Sequence, residues 1–113
     1  MTGHSLLHML QPEQLHSLLA PPWHPTTEPL HLELADEMST DHLLSGKRAV
    51  AVARRLDTDD VLFSLPDGPA PLAVVHLTWA GRERSPQWPA TELYRSVDDF
   101  ITRRMLPDAE EQA

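Results

Sequence analysis

There is no cysteine in the chain, which excludes a disulfide framework, a thiolate nucleophile and a cysteine-bound zinc. Lysine is almost missing as well: Lys47 stands alone, and every other basic residue is arginine. Acidic residues outnumber basic ones by 17 to 9, giving a formal charge of −8. No excess of cations is present to displace phosphate counterions, so non-specific nucleic-acid binding is not expected. No stretch approaches the roughly 18 apolar residues of a membrane-spanning helix. The first ten residues, MTGHSLLHML, lack the basic start and unbroken apolar run of a secretory signal. A cytoplasmic protein with no membrane contact is the expectation. A Gly-rich phosphate loop, a serine nucleophile elbow and a zinc spacing are also missing, so neither a cofactor nor a metal is expected.

What is present is centred on Leu72 to Trp79, LAVVHLTW. These apolar, β-branched and aromatic residues suit a pleated, packed surface. Alternation puts Ala73, Val75, Leu77 and Trp79 on one face and Leu72, Val74, His76 and Thr78 on the other. The second face begins apolar and ends polar. The strand is therefore expected to be covered on both sides near Leu72 and to open near His76 and Thr78.

With 113 residues the chain is read as one domain. Residues 4–20 carry helical leucine spacing, with Pro12 favouring one good helix over 12–20. Residues 21–29 form a proline-rich connector in which Trp23 is expected to act as an anchor. Residues 28–38 fit either a strand, through LHLEL, or a helix, through Leu30, Leu34 and Met38, and the helix is preferred. A turn over 39–46 dips Leu43 and Leu44 into the core. Strands follow at 47–55, with Ala49, Ala51 and Ala53 on one face, and at 60–65. An edge strand at 93–95 is weighed. Ser96 caps a final helix, with Val97, Phe100, Ile101 and Met105 as its apolar stripe, Pro107 as its stop and 108–113 as a disordered acidic tail. The fold class is α+β: an antiparallel meander of three to four strands with two to three helices packed on it.

The segments DDVLFSL, AVVHLTWAGRERSPQWPATELYRS and DDFITRRMLPD resemble a family of small bacterial proteins of unassigned function, over residues 30–108. The resemblance implies a stand-alone bacterial cytoplasmic protein whose most distinctive stretch is His76 to Tyr94. It implies no activity.

Several residues invite chemistry. His76 suits a base or ligand at the polar end of the sheet, with Thr78 and Glu83, or else a histidine bonded to backbone or a carboxylate. His4 and His8 are four apart, but no further ligand completes a metal set. Asp57, Asp59 and Asp60 suggest part of a calcium loop that lacks its glycine and final glutamate, or a turn with Arg54 or Arg55 as countercharge. Glu83 and Glu92 suit the two sides of a pocket under the loop after Trp79, or else solvated charges balanced by Arg82 and Arg84. Trp79, Trp88 and Tyr94 gather around a proline-rich loop, either as a recognition surface or with Trp79 in the core and Trp88 folded over it. The leading expectation is a non-enzymatic interaction protein that binds a protein partner, or itself as a homodimer, through Trp79, Glu83 and Trp88. The alternative is a small-ligand or enzyme pocket near His76, Thr78 and Glu83. A sheet apolar on both sides with too few helices to cover it motivates the first.

Overall fold

Among the described residues, five antiparallel strands follow one another in chain order across a single open sheet. The computed structural model describes residues 12–68 and 70–111. A 3₁₀ segment (Pro12–Leu18) leads into β1 (Trp23–Pro25), α1 (Leu30–Glu37), β2 (Val50–Arg55), β3 (Asp60–Ser64), β4 (Leu72–His76) and β5 (Ala90–Tyr94). α2 (Val97–Phe100) then runs through a π-helical turn (Ile101–Met105) into α3 (Leu106–Glu111). No helix among the described residues is long and apolar enough to cross a membrane.

The α+β class and the antiparallel meander agree with the sequence. The strand number does not: there are five, because the proline-rich connector supplies β1 and the weighed edge segment is a full strand, β5. The prolines allow this because β1 is an edge strand. Pro25, opposite Ala53, gives up a donor where the outer side need not pair.

Both faces of the sheet are covered, which removes one motive for expecting a partner. On one face α1 packs Leu30 and Leu34 against Ala51, Val61, Phe63, Ala73 and Val75. On the other, the C-terminal helix packs Val97, Phe100, Ile101 and Met105 against Val52, Leu62, Leu72, Val74 and Tyr94, with Leu15 joining them. Phe100 meets Trp23 and Tyr94 edge-on, at centroid distances of 5.2 and 5.7 Å. The expected cap and stripe of this helix are both present: the Asp99 N–H donates to Ser96 Oγ at 3.0 Å.

Three departures have local causes. The expected alanine face in β2 is broken by a bulge. Ala51 pairs with Phe63 and Ala53 with Leu62, so Val52 is an extra residue, and Val52 and Ala53 both join the C-terminal helix layer. Of Leu43 and Leu44, only Leu44 is buried; Leu43 is exposed. Pro107 does not stop the last helix. The Leu106 N–H bonds back to the Ile101 carbonyl, five residues away, and this wider turn admits a proline one residue later. The segment expected to be a disordered tail thus continues as helix to Glu111. The helix expected over 12–20 is a 3₁₀ segment ending at Leu18, and its possible extension toward His4 lies outside the described residues.

Asp108 explains why the chain continues. It is buried, accepts the Trp23 indole N–H at 2.9 Å, and pairs with Arg55 at 3.1 Å and Arg104 at 2.8 Å. Trp23 is thereby the expected anchor, held by a residue 85 positions away. Replacing Asp108 with alanine leaves the Trp23 indole N–H unpaired and takes one carboxylate from Arg55 and Arg104, which keep Asp57, Asp60 and Glu92, and should lower unfolding free energy by about 2–3 kcal/mol in urea titration. A loss under about 1 kcal/mol would mean that α3 adds nothing to the core.

Candidate functional site

The chain leaves β4 at Leu77, and the next two residues are held by a carboxylate from the opposite layer. Leu30, Leu34 and Glu37 share one face of α1, so Glu37 sits on the apolar stripe and is completely buried. Its two oxygens accept the backbone N–H of Thr78 at 2.7 Å and of Trp79 at 2.9 Å. The Glu37 carbonyl accepts the N–H of Glu83 at 2.8 Å. One residue of α1 therefore fixes both ends of the turn 78–83. A carboxylate that accepts backbone N–H groups in this way makes strong, charge-assisted bonds.

Thr78 is the centre of a wider cluster. Its hydroxyl lies 3.1 Å from Glu37 Oε1 and 2.8 Å from Glu83 Oε2, and has one hydrogen to give, so it serves one carboxylate at a time. Glu33, one turn before Glu37, is pushed up to about 7 from its ordinary 4.5. A hydrogen bond to Glu37 is the main cause, with burial and the charges of Glu37 and Asp36 adding to it. Arg82 caps the end of α1 by donating to the Met38 carbonyl. His42, buried under the same loop, bonds the Pro89 carbonyl at 3.0 Å and accepts the Leu44 N–H at 3.0 Å, so its other nitrogen carries the proton.

This scaffold presents two indoles to solvent. Trp79 has φ 55°, the left-handed region that side chains of this size avoid, and is 51% exposed. Trp88 is 46% exposed. Trp79 does not take the core position weighed for it: Ala73, Val75 and Leu77 are buried as the alternation requires, but the turn at Trp79 swings its ring out of register. Tyr94 is apart from both, packed under the C-terminal helix. Burial, then its hydrogen bond to Glu92, pushes the phenol up to about 12.

His76 belongs to a different cluster. It lies on the other face, where the β3–β4–β5 register sets Asp60, His76 and Ala90 in one row. Its Nδ1 is 2.8 Å from Asp60 Oδ1. Asp60 also pairs with Arg104, which reaches down from the helix and bonds Asp108 and Glu92 as well. Burial opposes the Arg104 charge, but Asp60 and Asp108 outweigh it and raise the guanidinium above its ordinary range.

The expected grouping of His76, Thr78 and Glu83 is therefore split. Thr78 and Glu83 touch each other under the Trp79 turn, while His76 faces Asp60 across the sheet. Glu83 and Glu92 are likewise apart: Glu83 bonds Thr78, whereas Glu92 bonds Tyr94 and Arg104. Asp57 pairs with Arg55, one of the countercharges expected for its turn. His4 and His8 lie outside the described residues. Among the described residues, no group of three His, Asp or Glu side chains is placed to hold a metal ion. The sequence reading missed Glu37, Asp60, Arg104 and Asp108 as organising residues. For Glu37 a signal existed, since its i, i+4, i+7 spacing with Leu30 and Leu34 puts a carboxylate on the buried stripe.

No family model, no curated protein and no solved structure matches the chain, so residue roles rest on its own geometry.

A carboxyl that holds its proton more tightly in the folded chain stabilises the fold fully below pH 4.5 and gives this up as the pH rises to about 7. Chemical denaturation of the wild type between these pH values should show that decline relative to Glu33→Gln. Parallel pH profiles for the two proteins would rule out the shared Glu33–Glu37 proton. At Trp79, the Ala and Gly variants both lose the ring, and only Gly accepts φ 55° without strain. Trp79→Gly should be more stable than Trp79→Ala by roughly 1 kcal/mol in the same assay.

Proposed function

We propose that the chain is a non-enzymatic protein-interaction domain whose contact surface is the loop following β4, with Trp79 and Trp88 as its anchors. The observation that carries this reading is the backbone of Trp79. A bulky residue sits in a left-handed conformation that costs about 1–3 kcal/mol. The buried carboxylate of Glu37 holds it there, and the result is a half-exposed ring instead of a buried one. Strain of this kind survives where the surrounding structure enforces it, and it concentrates at ligand-binding positions.

The rest of the loop supports the same reading. Indoles offer large contact area at small entropic cost, and tryptophan is enriched among residues that dominate interface energies. Thr78 and Glu83 are bonded to one another behind the rings, so the turn is organised before any partner arrives. Glu83 acts as a brace for the turn. The role weighed for it in a pocket with His76 has less support, since His76 bonds Asp60 and Glu83 bonds Thr78. The partner is a protein surface with an apolar recess, on another chain or on a second copy of this one.

A photo-crosslinking amino acid at position 88, expressed in cells, tests the reading directly. A discrete adduct should form from position 88 and not from Arg103, which lies beyond the loop on the C-terminal helix. An adduct of twice the chain mass identifies a second copy as partner. Labelling no stronger at 88 than at 103 would sink the proposal.

A further inference from the structure

The cluster around His76 opens into a cleft of about 310 Å³ on the face opposite the Trp79 turn. Asp60, His76, Glu92 and Arg104 line it, over a floor of Val74 and Ala90. The cross-strand pairs explain the grouping. Asp60, His76 and Ala90 form one row across β3, β4 and β5, and Val74 and Glu92 are opposed in the next on the same face. The cleft is independent of the tryptophan surface and of the function proposed for it.

Which ligand it suits follows from which of its groups are already satisfied. Each of the three Arg104 nitrogens already faces a carboxylate: Nε donates to Asp108, one terminal nitrogen to Asp60 and the other to Glu92. Its charge is already matched by these carboxylates, and an incoming carboxylate or phosphate would also meet Asp60 and Glu92 in the cleft. The His76 Nδ1 lies against the Asp60 carboxylate, which can only accept, so Nδ1 carries the hydrogen. Whenever the ring is neutral, Nε2 is then the nitrogen that keeps its lone pair free. Glu92 uses Oε1 for both the Tyr94 hydroxyl and Arg104, leaving Oε2 without a protein partner. The two unused groups are both acceptors, one of them charged, above an apolar floor.

We propose that this cleft is a binding site for a guanidinium or primary ammonium group, held by the Glu92 carboxylate and the His76 Nε2. A planar guanidinium can donate to both acceptors while its alkyl stem lies over Val74 and Ala90. The group belongs either to a small free amine or to an arginine side chain of another protein.

The two sources separate in an NMR titration of the full chain with agmatine and with a blocked Gly-Arg-Gly peptide. Saturable shifts should appear at the His76 ring and the Ala90 amide, and inorganic phosphate should produce none there. Tighter binding of agmatine identifies a free amine as the source; tighter binding of the peptide identifies a protein side chain. Glu92→Gln should weaken binding about tenfold, the loss of one charge-assisted hydrogen bond. His76→Leu removes only the other acceptor and gives a second reading should Glu92→Gln disturb the Tyr94 contact. Absence of saturable shifts, equal shifts with phosphate, or unchanged affinity in a folded variant would each overturn the assignment.

Discussion

One guanidinium joins four parts of the molecule. Arg104 projects from the helix, bonds Asp60 on β3, Glu92 on β5 and Asp108 one turn further along, and lies over the Trp23 ring of β1 at 5.6 Å. A small open sheet has no closure to fix how a helix lies across it. Burial of Phe100 and Met105 supplies the attraction, but apolar contact is non-directional. The ion network supplies direction, because a planar fork accepts carboxylates only along certain lines. Breaking such a partly buried network is costly even where building it adds little net stability.

The opposite layer uses the same device with a simpler part. Glu37 is a lone carboxylate at the end of α1, and its partners are backbone N–H groups instead of arginines. Each face of the sheet therefore carries a buried acidic residue that ties a helix to chain distant in sequence. At Asp108 the outcome is a cluster of opposed charges with a small cleft beside it. At Glu37 it is a turn forced into an unfavourable shape, with a ring pushed outward. The chemistry is similar, and the surfaces that result are not.

Sequence made some of this legible and hid the rest for physical reasons. Periodicity located α1, the three central strands and the stripe of the last helix, because those patterns follow from burial on one face. The Ser96 cap and the Trp23 anchor were readable from residue type and position. Residues 23–25 were not, since their pairing depends on an edge being available 28 or more residues later, opposite Ala53 to Arg55. The Val52 bulge was equally hidden, as nothing in VAVARR marks an unpaired residue. The candidate site residues were mis-grouped for one reason: Thr78 was assigned to the strand that carries His76, whereas the chain turns at Leu77 and the two side chains part. Long-range polar pairs such as Trp23 with Asp108 leave no local trace at all.

The π-helical turn at Ile101–Met105 sets the phase of everything after it. An ordinary helix advances about 100° per residue. The wider turn absorbs one residue without advancing the face that the helix shows the sheet. The helix can therefore carry Phe100 and Met105 inward and still bring Asp108 round beneath Trp23 and Arg55. Regular winding through the same residues would instead swing Asp108 out by about 100°, turning a neighbour of different character toward the two arginines, whereas deleting one residue within the turn would keep Asp108 in place. The extra residue works as a gear tooth: one position of slip in the last helix would unlock the first strand, more than 75 residues away.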